Sequence, residues 1–202
     1  MNKIIIFLLF AFIFTSCSNE EPIKDDFAFE RFKLGEKISL ENVHGGNKTI
    51  VRTEKGFVIE GEEDKFILFD FFGTFCQPCK EEAAFLTDLW KENSKHLVLI
   101  GLDHFEEVSD DEVKKFAHDY GAYYFLSNSP KNQRIISQIL EDINYANMEQ
   151  LPFKVLLYKG EYQTVSDYYR PENKNGLKFY LGSVPISVIN NDINTILNAG
   201  VT

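Results

Sequence analysis

The chain has 202 residues, 44% of them hydrophobic, and its 31 acidic against 21 basic side chains give a formal net charge of −10. That excess of negative charge serves solubility and argues against nucleic acid or anionic lipid surfaces as partners. The length suffices for one domain with a sizeable core, and three cysteines are too few for a disulfide scaffold.

At the N-terminus, Met1-Asn2-Lys3 precedes an unbroken apolar run from Ile4 to Phe14. This run falls short of the about 20 residues a spanning helix needs, so residues 1–16 read as a secretory signal rather than a membrane-crossing anchor. Phe14-Thr15-Ser16-Cys17 resembles the bacterial lipobox, in which the cysteine becomes the lipidated first residue of the mature protein. An ordinary signal peptide with an incidental cysteine is the plainer alternative. Acylated, Cys17 would carry more than the about two signals that stable anchoring takes, holding the protein outside the cytoplasm on the inner or outer membrane. Residues 17–26 would then be the lipidated cysteine and a polar tether.

Residues 27–61 read as an N-terminal β extension, in which Ile50–Thr53 and Phe57–Ile59 flank the turn Glu54-Lys55-Gly56. Residues 62–202 form the main domain. Phe66–Phe72 is a continuous apolar run of the kind found in a central strand covered on both faces. Residues 77–93 carry a helical stripe of Ala83, Ala84, Leu86, Leu89 and Trp90. A strand over 97–102, a helix over 110–120 opened by Ser109, and a strand over 123–126 follow. A helix over 130–143 with Pro130 in its first turn, a loop over 144–150, strands over 153–158 and 162–168, and a terminal helix over 190–197 complete the pattern. Strands alternating with helices predict an α/β fold with parallel pairs in its sheet.

Cys76-Gln77-Pro78-Cys79 sits where the apolar strand gives way to the helix. Two cysteines one helical turn apart can close a disulfide across that turn, while the exposed N–H groups and the macrodipole favour the thiolate of the first. The spacing and context therefore indicate thiol–disulfide exchange, with Cys76 as nucleophile and Cys79, turned into the first turn, as resolving thiol. Lipidation of Cys17 would leave this lone close pair with no third thiol to mispair. Pro78 lacks an N–H and fixes φ, which stiffens the turn without losing a helix bond. Gln77 adds no charge, and Lys80 either favours the thiolate or is a solvated lysine.

These features carry a family resemblance: Asp70 six positions before the first cysteine, the aromatic-Cys-x-Pro-Cys-Lys core, and a distant Leu151-Pro152 opening an apolar strand followed by Lys159-Gly160-Glu161. The chain resembles the thioredoxin superfamily, most of all its membrane-attached TlpA/ResA-like branch, over roughly residues 62–199. Two departures stand out: Phe75 occupies a position where the family usually has Trp, and Asp70 one where TlpA-like members often have Asn. The resemblance implies a thioredoxin-like fold, with a central mixed β-sheet flanked by helices. It places Asp70 beneath Cys79 as proton acceptor and makes Leu151-Pro152 a cis bond opposite the dithiol, its backbone pairing with an extended substrate chain. Phe75 is expected on the substrate rim, with Phe72 turned towards the core.

The expected activity is an extracytoplasmic, membrane-anchored protein-disulfide reductase. Its clients would be secreted proteins with cysteine pairs, apocytochrome c among those the resemblance points to, and its reductant a membrane electron donor. No cofactor beyond the dithiol and no metal site is expected. A disulfide oxidase or isomerase is the alternative within the enzyme class. An SCO-like copper chaperone shares the fold but needs CxxxC and a His ligand. His44, His96, His104 and His118 form no metal spacing with one another; His104 alone lies where it could reach the active-site end of the sheet.

Overall fold

The computed structural model describes residues 29–146 and 150–199. The signal segment, Cys17, the tether and the first residues of the extension lie outside them. A central sheet is ordered β6-β5-β4-β7-β8, with β4 (Phe66–Phe72), β5 (Leu97–Asp103) and β6 (Phe125–Ser127) parallel, and β7 (Phe153–Tyr158) and β8 (Glu161–Tyr162) reversing direction. β4 lies at the centre, and every one of its seven residues is buried. Its even-numbered side chains, with those of Leu97 and Leu99, meet helices α1 (Gln77–Asn93), α2 (Asp110–Tyr120) and α4 (Ile186–Ala199). The odd-numbered Ile67, Phe69 and Phe71 face α3 (Asn132–Asp142) and the N-terminal extension. Among the described residues no helix is long and apolar enough to cross a membrane.

The extension is a three-stranded antiparallel sheet rather than a hairpin, because β1 (Lys37–Glu41) joins β2 (Asn47–Arg52) and β3 (Phe57–Ile59). Ile38 and Leu40 alternate with polar residues in β1, a half-buried strand pattern passed over in the sequence. Phe57 stands edge-on to Phe32 and to Phe69 of β4, at 5.3 and 6.4 Å between ring centroids. Arg52 forks onto Asp142 of α3, which also accepts from the Tyr162 hydroxyl at 2.8 Å. After β1, the Val43 amide donates to the Leu126 carbonyl at 2.9 Å, and the Leu126 amide donates to Asn42 Oδ1. The extension therefore shares the core of the main domain.

Strands β4 and β7 and helices α1 and α2 occupy the predicted spans, and Ser109 opens α2 with a reciprocal capping box to Glu112. Four elements of the main domain depart from their predicted spans by more than one residue. β6 begins at Phe125, not 123, because Gly121 ends α2 in the left-handed region and the Tyr123 amide is taken by Thr87 Oγ1 on α1. α3 begins two residues after Pro130, since the Asn132 side chain binds the Ser127 and Asp103 carbonyls and holds the preceding turn. The strand expected over 162–168 stops at Tyr162: the amide and hydroxyl of Ser166 turn to Asp192 on α4, and Asp167 binds Arg170 and Asn173. The vacated edge of β7 is paired instead by β9 (Tyr180–Leu181). α4 starts at Ile186, directly after Pro185, ahead of the polar Asn190-Asn191 at which the sequence pattern begins.

Phe57→Ala tests the union of extension and domain. A loss of about 3–5 kcal/mol in a single unfolding transition is expected by chemical denaturation. A loss below about 1 kcal/mol would show that the extension folds apart from the core.

Candidate active site

β4 ends at Phe72, and the turn Gly73-Thr74-Phe75 delivers the chain to Cys76, the N-cap residue of α1. The Cys76 sulfur accepts from the Cys79 amide at 3.2 Å, and Pro78 fills the first turn, where no donor is needed. Cys76 and Cys79 are joined in a disulfide with an S–S distance of 2.10 Å. Both are nearly enclosed: Cys76 is 6% exposed and Cys79 3%. Gln77 and Pro78 are exposed beside them, with Gln77 bonded to Glu81. Phe75 is 57% exposed, and its ring lies against Gly73, where an added Cβ would stand 2.6 Å from it. Phe72 is buried against Phe116 of α2. Lys80 points toward α2, its ammonium 5.5 Å from the centre of the Tyr120 ring.

The Leu151–Pro152 bond is cis. Phe71 pairs with Phe153, so Pro152 stands at the end of β7 next to Phe72, on the side of the sheet from which the CxxC turn departs. The Pro152 carbonyl accepts from the Gly182 amide at 2.8 Å; Leu151 is half-buried.

Beneath the dithiol lies a buried charge cluster. Asp70 in β4 is the register partner of Lys154 in β7, and both project toward α1, the face of Leu68 and Leu156. Lys154 is 0% exposed, with its ammonium paired to Glu82 Oε1 and 3.7 Å from Asp70 Oδ1. Glu82 lies three residues after Cys79, on the same stripe of α1. The Tyr124 hydroxyl donates to Asp70 Oδ2 at 3.0 Å. Gly101, the partner of Asp70 on the β5 side, makes room for this bond, since an added Cβ would come within 3.1 Å of the Tyr124 ring. Burial pushes the Asp70 carboxyl up, against the pull of the Lys154 charge and the Tyr124 bond. Burial likewise raises Glu82 to about 7, Lys154 opposing and Asp70 adding to the rise. One cation between two buried carboxyls favours retention of a proton on one of them.

Sequence reading passed over Glu82, Lys154 and Tyr124. Lys154 is the one charge in the strand Phe153–Tyr158, a signal of a buried partner; the β4–β7 register that identifies Asp70 is set by tertiary pairing. His104 does not join the cluster. It is buried between Phe71 and Phe105, its ring centroid 3.9 Å from that of Phe105, and burial pushes its pKa down to about 4.

No family model matches the chain. Thioredoxin-1 of Drosophila melanogaster is 43% identical over 54 residues, 26% of this chain and 50% of that protein. Thiol-disulfide oxidoreductase ResA of Bacillus anthracis is 34% identical over 73 residues, 36% of this chain and 40% of that protein. The chain thus spans half or less of the length of these curated relatives. Among solved structures, a thiol:disulfide interchange protein of the thioredoxin family from Chlorobium tepidum superposes with a TM-score of 0.57 at 15% identity, over 83% of this chain and 98% of that one. StoA from Bacillus subtilis superposes with a TM-score of 0.52 at 12% identity, over 79% and 97% of the two chains. The fold is thioredoxin-like, a mixed sheet flanked by helices, and the homologues include thiol-disulfide oxidoreductases.

The cluster gives a signed pH dependence. A carboxyl whose folded pKa is raised binds its proton more tightly in the folded state, so its contribution falls as pH rises from the unfolded to the folded value. For Glu82 that window runs from 4.5 to about 7. Glu82→Gln is expected to flatten the fall in stability across this window relative to wild type, by at most roughly 3 kcal/mol. Parallel stability–pH curves for the two proteins would remove Glu82 from the titrating cluster.

Proposed function

We propose that this chain, with its thioredoxin-superfamily fold and ResA thiol-disulfide oxidoreductases among its homologues, is a protein-disulfide reductase working outside the cytoplasm. The observation that carries the reading is the Cys76–Cys79 pair, bridged at the N-terminus of α1 with a buried carboxyl cluster below it. In the reduced enzyme, the Cys76 thiolate attacks one sulfur of a client disulfide. A Cys76–client bond forms, the client S–S bond breaks, and the departing client thiolate takes a proton. Cys79 then gives its proton to Asp70 and attacks the Cys76 sulfur, releasing the second client thiol and closing the Cys76–Cys79 disulfide. Two electrons and two protons from a membrane donor restore the dithiol. The redox pair is the whole prosthetic chemistry in this scheme, without a further cofactor.

The exposed Phe75 and the backbone of Leu151 at the cis Pro152 form the rim on which an extended client chain lies. Gln77 and Pro78, exposed between the two cysteines, bring no charge or histidine to stabilise the thiolate, which favours a reducing pair over an oxidising one. Lipidation at Cys17 after removal of residues 1–16 would tether the enzyme, and the apocytochrome c cysteine pair is the client class suggested by the ResA likeness.

Equilibration of the full-length protein with dithiothreitol or glutathione decides the direction of electron flow. A potential near or below about −250 mV is expected for a reductase; one near about −120 mV would overturn that direction and leave a disulfide-forming oxidase. Cys79→Ser is expected to accumulate a mixed disulfide at Cys76 that a client cannot leave, detectable by mass under non-reducing conditions. Adducts on Cys79 in a Cys76→Ser protein at the same rate would reverse the two roles.

A further inference from the structure

The turn into the dithiol is gripped by a carboxylate from another element, which the exchange scheme above does not use. After β5 the chain turns through His104 and Phe105 and sets Glu106 against Thr74. Both carboxylate oxygens are engaged: one accepts from the Thr74 amide, the other from the Thr74 hydroxyl at 2.8 Å. Thr74 lies two residues before Cys76, so the grip closes on the segment that aims the first sulfur. The turn that delivers it is strained, since Phe105 adopts φ +68°, a left-handed conformation bulky residues rarely take.

Asp103 backs this arrangement. It is buried, its Oδ1 has no hydrogen-bond partner, and burial followed by the adjacent Glu106 carboxylate pushes it up to about 8. The charged groups that share the Thr74 hollow are committed elsewhere: Lys80 to the Tyr120 ring, Lys115 and Asp119 to each other, and Glu112 to the α2 cap. His104, neutral and packed on Phe105, adds no charge.

We propose that Glu106 is a positioning residue of the dithiol: its carboxylate fixes Thr74 and hence the approach of Cys76, and its negative charge restrains ionisation of the Cys76 thiol. A like charge near a thiolate disfavours it, and a reduced form with a less stabilised thiolate gives up electrons more readily. Glu106 thus biases the pair toward reducing its clients. The inference rests on the reading of Cys76 as the attacking thiol.

The two roles separate by substitution in the reduced full-length protein. Glu106→Gln keeps the shape and one acceptor oxygen but removes the charge. Ultraviolet titration of the thiolate is expected to show the Cys76 pKa falling by about half a unit, which is about threefold more thiolate where the thiol predominates. Glu106→Asp keeps the charge but cannot span both Thr74 donors; it is expected to leave that titration in place while slowing insulin reduction about threefold. A Gln variant that titrates like wild type overturns the electrostatic role, and an Asp variant with wild-type rate overturns the positional one. If Glu106→Gln does not fold, Thr74→Val carries the test: slowed exchange with an unmoved titration supports the grip, and unchanged exchange overturns it. A wild-type protein that fails to reduce insulin would overturn the reductase reading alone, because the titration needs no client.

Discussion

The pairing of β4 with β7 is the constraint on which the rest of the molecule hangs. Asp70 opposite Lys154 fixes a register in which every even residue of β4 faces α1 and every odd residue faces α3 and the extension. A slip of one residue would send the carboxylate into the phenylalanine layer and the phenylalanines into the helical one. Such a slip would also part the lysine from both of its acids. The ion pair therefore contributes less as net stability than as a penalty on every alternative pairing, since an unpaired buried charge costs several kcal/mol while a paired one is close to break-even.

From that register the active-site geometry follows. The C-terminal end of β4 lies beside the start of β7, so that the CxxC turn leaving β4 and the cis-proline turn entering β7 lie at the same end of the sheet. The helix that begins at Cys76 then carries Glu82 down onto the lysine one turn below Cys79. Strand pairing, helix phase and buried charge converge on a few side chains, and each is set by an interaction different in kind from the others.

Much of this is legible in the residues. A run of seven apolar-dominated positions followed by a helical stripe can form little else, and two cysteines at that boundary have one evident chemistry. What escapes is set by long-range contacts or by side chains that outcompete the ladder. Tyr162 to Tyr168 reads as the returning strand after the Lys159-Gly160-Glu161 turn, yet Ser166 and Asp167 find better partners in Asp192 and in their own turn. Lys154 is visible as an oddity in its strand, but the identity of its acids depends on a partner strand 84 positions away in one case and a helix 72 away in the other. Glu106 looks like one more surface acid of an acidic chain until the fold brings Thr74 to it.

The junction between the N-terminal extension and β6 has a consequence for crowding. β6 is the outer strand of the central sheet, and an outer strand offers unpaired amides and carbonyls to any passing chain. Val43 and Asn42 occupy the backbone groups of Leu126, the middle residue of that strand. Left open, that edge would pair with any exposed strand it met. Closing it keeps the central sheet from adding a foreign strand at β6 and growing by aggregation.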